Sequence, residues 1–406
     1  MGSSERILHV ARRVWETARQ GNQLVVVVSA MGGVTDRLLG LAAEMSPVPS
    51  PRELDVLLAT GEQTTIALLA MAINQLGGRA VSMTGPQAGI RTDDAHTRAR
   101  ILEIRPDAVR RHLDEGAVVT LAGFQGETPT GRISTLGRGG SDLTAISMAA
   151  AIGADLCQIF TDVDGVYTCD PRVVPDARRL NEISYDEMLE MASSGSKVMQ
   201  ARSVECAKKY HVPFEVRSSL HNGPGTLVTE EHQNMESVII RGISLERDQA
   251  KITLNDVPDV PGSAFRIFRA LGESGINVDM IVQNVSKSGL ARISFTVYRN
   301  DIARADEALS PVLSELGGAW MESHGGIAKL SAVGIGMRSH SGVAAEMFEA
   351  LAEAGISIQM ISTSEIKIAV TIAEERCEEA ARVVHAAFDL GRTDSPLPLP
   401  KSQPQV

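Results

Sequence analysis

Leu136-Gly-Arg-Gly-Gly-Ser-Asp142 stands between a strand-like run and the apolar helical pattern of residues 140–152. A strand that turns through glycines into a helix is the building unit of α/β sheet folds. The glycines let a ligand come close to the backbone, and the free N–H groups of the helix start attract an anion. Arg138 presents a planar fork to a carboxylate, and Asp142 accepts from an ammonium. One turn thus reads both signs of charge, which suits an amino acid. Read alone, the heptapeptide is also compatible with a glycine-rich helix cap. No G-x-x-x-x-G-K-[ST] string occurs in the chain, so this is not a Walker A phosphate loop.

Outward from this turn, residues 1–228 alternate the two periodicities. Helices are expected over 6–19, 37–44, 53–76 and 140–152, and strands over 24–29, 80–84, 117–122, 156–161 and 212–216. Continuous apolar strands between helices imply a parallel or mixed sheet covered on both faces. Phe160-Thr-Asp-Val-Asp-Gly-Val-Tyr-Thr-Cys-Asp-Pro-Arg172 follows one such strand, at the end where open α/β sheets bind ligands. There Asp162 and Asp164 suit ribose, metal or backbone, Tyr167 offers a flat wall to a base, and Arg172 offers charge to phosphates. An Asx-turn loop accounts for the same residues equally well. Gly61 inside the long helix pattern costs about 1 kcal/mol relative to alanine, which calls for a packing or ligand reason. Its neighbour Glu62 is a second acceptor for an ammonium. Ser29-Ala-Met-Gly-Gly-Val-Thr-Asp36 is another strand-to-helix turn, and Lys197 stands beside Ser194-Gly-Ser196 within reach of a phosphate.

Composition narrows the partners. Of 406 residues, 43% are hydrophobic and 22% charged, which excludes wholesale disorder. The net charge of −11 argues against nucleic acid or an anionic membrane surface, and 3% aromatics leave no base-stacking platform. The longest apolar run, Leu24–Val28, is a buried strand and not a membrane span. No basic-then-apolar leader opens the chain, so a cytoplasmic location is expected. Cys157, Cys169, Cys206 and Cys377 form no C-x-x-C pair and are expected to be reduced thiols.

Beyond residue 230 the chain repeats itself. Residues 261–281 align without gaps on residues 341–361, with ten of 21 positions identical. Each copy reads as strand, glycine-started helix, glycine turn and two strands, followed by a second helix at 302–316 and at 375–388. That is a duplicated βαββαβ unit. The proline-rich residues 391–406 are expected to be a disordered tail.

The strings 135–142, 161–168, 170–172, Thr-Gly-Glu (60–62) and Val-Arg-Ser-Ser (216–219) together resemble the aspartate kinase family. The resemblance covers roughly residues 1–390. It implies an α/β, three-layer amino-acid-kinase-like sandwich over 1–230. Two α+β ACT-like regulatory units are implied over 250–323 and 327–390. The implied reaction is phosphorylation of the β-carboxylate of L-aspartate by ATP with Mg²⁺ carried on the phosphates. That carboxylate is already ionised at pH 7 and needs no general base. By position, Arg138 would hold a substrate carboxylate and Glu62 and Asp142 its ammonium, with Thr35 and Ser141 lining the site. Thr161, Asp162, Tyr167, Arg172 and Lys197 would serve ATP, and Arg138, Asp142 and Lys197 would act at the reaction itself. The ACT resemblance implies feedback by lysine, threonine or both, and assembly as an oligomer. Effectors would dock at Asp259 and Gly262, at Asn277, Gln283 and Asn284, and at Ser341 and Gly342 of the second copy.

Two features depart from the family pattern. Gln200-Ala-Arg202 stands where members commonly carry His-Pro-Arg. The family also opens with a strand ending in K-F-G-G-T-S or K-Y-G-G-S-S, whose lysine and glycines embrace the transferred phosphate. That motif is absent, and Met1-Gly-Ser-Ser-Glu-Arg-Ile7 matches the V-G-S-x-E-R-I that follows it. A misplaced start or a true truncation is expected, the latter with severely reduced kinase activity. The alternative is an amino-acid-sensing regulatory subunit.

Overall fold

A computed structural model describes residues 2–196, 198–231, 240–286, 289–338 and 342–391. Lys197, Ser341 and the expected tail over 392–406 lie outside the described residues. The chain forms two compact units. The first comprises Met1–Gly165, Ser184–Leu189 and Val198–Glu230; the second comprises Val166–Ile183, Glu190–Lys197 and Glu231–Val406.

In the first unit the chain order is α1 (Ser4–Ala18), β1 (Val25–Val28), α2 (Val34–Met45), α3 (Pro51–Gln75), β2 (Ala80–Met83), β3 (Ile90–Thr92) and β4 (Ile101–Ile104). It continues with α4 (Asp107–Asp114), β5 (Val118–Ala122), β6 (Gln125–Glu127), β7 (Ile133–Thr135), α5 (Gly140–Ile152) and β8 (Cys157–Thr161). β9 (Glu182–Ser184) and α6 (Tyr185–Ser193) carry residues of both units; α7 (Ala201–Tyr210), β10 (Phe214–Ser218) and β11 (Thr226–Thr229) close the first.

β5 is buried at every position and lies parallel between β1 and β2, as its unbroken apolar run requires. β10 pairs parallel with β8 and antiparallel with β11. β1 pairs only with β5, and β8 only with β10, so each keeps one edge unpaired among the described residues. A further sheet of four short strands runs in the order β4-β3-β6-β7. None of its four strands, each three or four residues long, was expected from hydrophobic alternation.

α5 lies against β1 and β8, and α3 against β1, β2 and β5. α3 begins with Pro51 in its first turn, a position where a missing N–H costs nothing. By length and composition α3 is apolar enough to cross a membrane. It is instead a core helix, burying Leu58, Ile66, Leu69 and Ile73 together with the carboxylates of Asp55 and Glu62. α5 starts after Gly139 (φ 68°) and stops at Gly153 (φ 68°), both left-handed as glycine allows.

The second unit carries β12 (Gly242–Pro258), α8 (Ser263–Glu273), β13 (Ile281–Val285), β14 (Leu290–Tyr298), α9 (Ile302–Glu315), β15 (Trp320–Val333), α10 (Val343–Glu353), β16 (Met360–Thr363), β17 (Lys367–Ala373) and α11 (Cys377–Ala387). Its six strands form one antiparallel sheet in the order β13-β14-β12-β15-β17-β16. The repeat seen in the sequence is present: α8, β13, β14 and α9 correspond to α10, β16, β17 and α11. Two cores lie along the sheet. One is built on Leu254, Ile267, Leu271 and Phe295, the other on Leu330, Met347, Val370 and Val384. The strand halves are shared in a way the repeat does not announce. Gly242–Glu246 of β12 pairs with Lys329–Val333 of β15 in the second core, while Ala250–Asn255 pairs with the start of β15 in the first.

Candidate active site

In the first unit the carboxyl ends of β1 and β5 lie side by side, because the two strands pair in parallel from Val25 with Val119 to Val28 with Ala122. The chain leaves β1 through Ser29-Ala30, and Gly123 N–H donates to the Val28 carbonyl at 3.0 Å. Two sequence-expected residues meet these ends. Glu62 is buried on α3, and its Oε1 accepts from Ala30 N–H at 3.0 Å. Gly61 explains how α3 comes so close. A Cβ there would stand 2.8 Å from the Ala30 Cβ. Ser141 packs on Gly123, where a Cβ would meet its Oγ at 2.7 Å. The glycine in the helix thus has the packing reason its cost predicted.

The electrostatics of this corner favour a cation. Glu62 Oε2 is buried without a hydrogen-bond partner among the described residues, and burial raises the carboxyl pKa against the Ala30 hydrogen bond. Burial likewise pushes Asp142 up to about 6. Two carboxyls held in low-dielectric surroundings without a positive partner gain most from a bound ammonium. Arg138 is exposed and makes no hydrogen bond or ion pair among the described residues, so its fork is available. Thr35 lies half-buried in the first turn of α2, behind the left-handed Gly33 (φ 75°).

The glycine loop itself is braced on all sides. A Cβ on Gly140 would stand 2.9 Å from the Phe124 ring, and one on Gly139 would overlap Gln200. Phe124 is a non-glycine residue at φ 70°, a strained conformation of the kind that clusters at binding sites. Its N–H donates to Thr144 Oγ1 at 3.1 Å, and its carbonyl accepts from Leu136 N–H at 2.9 Å. Arg202 donates to the Leu136 carbonyl at 2.9 Å and to the Ala99 carbonyl at 3.1 Å. The departure at Gln200-Ala-Arg202 therefore keeps the arginine at work on this loop. Phe124 and Thr144 escaped the sequence reading, which singled out Arg202 only as part of the departure from His-Pro-Arg. Only the G-F-x-G context of Phe124, just after a buried strand, offered a signal.

The nucleotide candidates divide between the units. Thr161 and Asp162 end β8 in the first unit, the Thr161 hydroxyl donating to Asp162 at 3.0 Å. Tyr167 and Arg172 belong to the second. Tyr167 bridges to Arg179 as an isolated antiparallel pair. Arg172 is clasped by Asp170 through Nε and Nη2 at 2.8–3.2 Å, which holds that carboxyl below its ordinary pKa.

Of the effector candidates, Asp259, Gly262 and Gln283 line one cavity of about 440 Å³ with Val257, Pro258 and Ser263. Gly262 caps α8 at φ 100°, and Gly342 caps α10 in the same way at φ 105°. Asn277 and Asn284 are exposed and do not line that cavity. Asp279, a further polar residue of that region, is turned to Lys329 and makes an ion pair with it. The four cysteines are free thiols, three of them buried.

Comparison with known proteins matches residues 1–218 to the amino acid kinase family, and residues 252–315 and 330–388 to ACT domains. The chain is 55% identical over 391 residues to an aspartate kinase of Pseudomonas putida, covering 96% of this chain and 95% of that one. It is 49% identical over 399 residues to an aspartokinase of Mycolicibacterium smegmatis, covering 97% and 95%. Among solved structures, E. coli aspartokinase III in complex with aspartate and ADP superposes with a TM-score of 0.77 at 26% identity, covering 95% of this chain and 98% of that one. Aspartate kinase from Synechocystis superposes at 0.53 with 42% identity, covering 97% and 68%. Near-full-length identity of this order, on a kinase domain followed by two ACT domains, makes the chain a member of the aspartate kinase family.

Proposed function

We propose that the site at the ends of β1 and β5 binds L-aspartate and directs its β-carboxylate at the γ-phosphorus of ATP, yielding 4-phospho-L-aspartate and ADP. What supports this is the buried Glu62 with an unpartnered oxygen, together with a half-buried Asp142 raised by burial and an exposed Arg138, both on the glycine turn. In this reading the substrate ammonium sits between Glu62 and Asp142, Arg138 grips a carboxylate, and Thr35 and Ser141 line the site. A carboxylate oxygen forms the new P–O bond as the bond to the ADP oxygen breaks. No proton moves, so catalysis consists of orientation and charge neutralisation. Thr161 and Asp162 are assigned to ATP at the end of β8. Tyr167, Arg172 and Lys197 rest on the family resemblance alone.

Among the described residues no group of three or more His, Cys, Asp or Glu side chains forms a metal cage. Mg²⁺ is taken to be carried on the nucleotide phosphates, and no step here depends on a protein-held ion. We assign catalysis to residues 1–230 and regulation to 250–323 and 327–390, in a homo-oligomer joined through the ACT domains. The product feeds lysine, threonine and methionine synthesis, and lysine or threonine would return to the cavity at Asp259, Gly262 and Gln283. E. coli aspartokinase III has been solved with lysine and aspartate, which supports lysine as the first effector to try.

Trapping the acyl phosphate with hydroxylamine tests the reaction. Arg138→Ala should raise the aspartate KM and lower kcat together, because a planar two-point grip is lost. Unchanged aspartate kinetics in that variant would remove Arg138 from the site. Asp259→Ala should weaken inhibition by lysine or threonine and spare uninhibited turnover. If neither amino acid binds or inhibits at millimolar concentration, the effector assignment fails.

A further inference from the structure

Asp55 lies on α3, seven residues before Glu62, on the same helix face about 10 Å down the axis. It has no exposed surface at all, a rare state for a carboxylate and one that requires partners. The partners come from two other segments of the first unit. Thr135 Oγ1, itself fully buried at the end of β7, donates to Asp55 Oδ1 at 2.5 Å. Thr97 N–H donates to both carboxylate oxygens at 3.0 and 3.2 Å. His96 Nδ1 stands 2.6 Å from Oδ2.

The Thr135 and Thr97 contacts bear on the glycine loop. Thr135 immediately precedes Leu136-Gly-Arg138, and its carbonyl accepts from Ala99 N–H at 2.9 Å. Thr97 is held at φ 66°, a strained value for a branched residue, and its carbonyl lies 3.1 Å from where a Gly137 Cβ would stand. The two residues that launch the Arg138 loop are therefore tied to α3 through Asp55, to residues 97–99, to Phe124 and to Arg202. The proposed reaction makes no use of this network.

We propose that Asp55 is a positioning residue for aspartate, fixing through Thr135 and Thr97 the base of the loop that presents Arg138. α3 then acts as a ruler. One rigid helix carries Glu62, which meets the ammonium end of the site, and Asp55, which registers the carboxylate end. The inference rests on the reading of Arg138 as the carboxylate grip, and it adds that the grip works only when registered to Glu62.

The test uses the 406-residue chain carrying Asp55→Asn, Thr135→Val, Thr135→Ser or Arg138→Ala, with aspartate and ATP affinities by calorimetry and thermal melting. Asp55→Asn keeps the shape but gives Thr135 and Thr97 a poorer acceptor; Thr135→Val keeps the shape but removes the donor. Both should weaken aspartate roughly ten- to a hundredfold while the ATP affinity moves by less than about twofold, since misplacement of the grip is the lesion. Thr135→Ser restores the donor and should rescue. The Asp55→Asn/Thr135→Val double variant should cost no more than the worse single one. Should Asp55→Asn not fold, the Thr135 pair carries the test by itself. Normal aspartate affinity in folded Asp55→Asn or Thr135→Val, failure of serine to rescue, or equal loss of both substrates overturns the proposal. If Arg138→Ala binds aspartate normally, the site reading fails and the proposal with it. If Arg138→Ala does not bind and Asp55→Asn does, only the positioning role is lost.

Discussion

Asp142 sets binding against stability. The fold raises its pKa from 3.8 to about 6 because burial penalises the ionised form. A raised carboxyl binds its proton more tightly folded than unfolded. The penalty is therefore absent below about pH 4, grows between 4 and 6, and is complete above 6, where two units correspond to roughly 3 kcal/mol. Asp142→Asn should thus melt higher than the parent at pH 8 and at nearly the same temperature at pH 4, while losing aspartate affinity. Equal melting curves at pH 8 would show that the carboxylate is already compensated. The parent's aspartate affinity should fall as pH drops through about 6. Gly139→Ala has no such trade. It combines a left-handed φ with a collision against Gln200, and should abolish aspartate binding outright. At this scale glycine neighbours marked Arg138, Ser141, Asp142 and Glu62 as candidates in the sequence, and Glu62 and Ser141 do meet the ends of β1 and β5. Asp55 and Thr135 were not, since an aspartate and a threonine buried against one another across 80 positions leave no local trace.

At the scale of elements, the long apolar helices and continuous strands were readable. α5 is bounded by the residues its pattern gives, and α3 ends within a residue or two of them. The small sheet of β3, β4, β6 and β7 was not readable, because strands of three or four residues carry too few alternations to show a period. α3 invites a direct trial. Gly61→Ala puts a methyl 2.8 Å from the Ala30 Cβ and should push the helix off the end of β1, stretching the bond from Ala30 N–H to Glu62. Helix propensity alone would stabilise the chain by about 1 kcal/mol. A lower melting point together with weaker aspartate binding would show that the close approach outweighs propensity. The edges of β1 and β8 that are unpaired among the described residues have their own signature. Amides on those edges should exchange with deuterium well before the amides of β5, which is paired on both sides.

At the scale of the whole molecule, the duplication was plain in the sequence, but its closure was not. Repeat identity fixes which helices correspond; it cannot show that the stretch before the first copy supplies a strand to the second. A buried lysine stands at that join. Lys329 of β15 is 3% exposed at its side chain and pairs with Glu246 of β12 at 2.6 Å, and with Asp279. Burial opposes its charge, but the two carboxylates outweigh burial and hold the pKa above its ordinary 10.5. The stabilisation is therefore complete below that pH and lost as pH rises through the folded value. Lys329→Met leaves Glu246 without its cation and should cost roughly 3 kcal/mol, visible as a lower urea midpoint. β12 and β15 both change register where the cores meet, between Glu246 and Gln249 on one strand and at Gly326 (φ 75°) on the other. A protease that nicked the chain between Gly325 and Gly326 would sever the peptide but not the body. Gly242–Glu246 would still be threaded into the second core from a residue number smaller than any in the first. The two fragments should co-elute under native conditions and part only in denaturant. For the same reason, a gene cut between the copies should yield a second half that is insoluble until the first is supplied beside it.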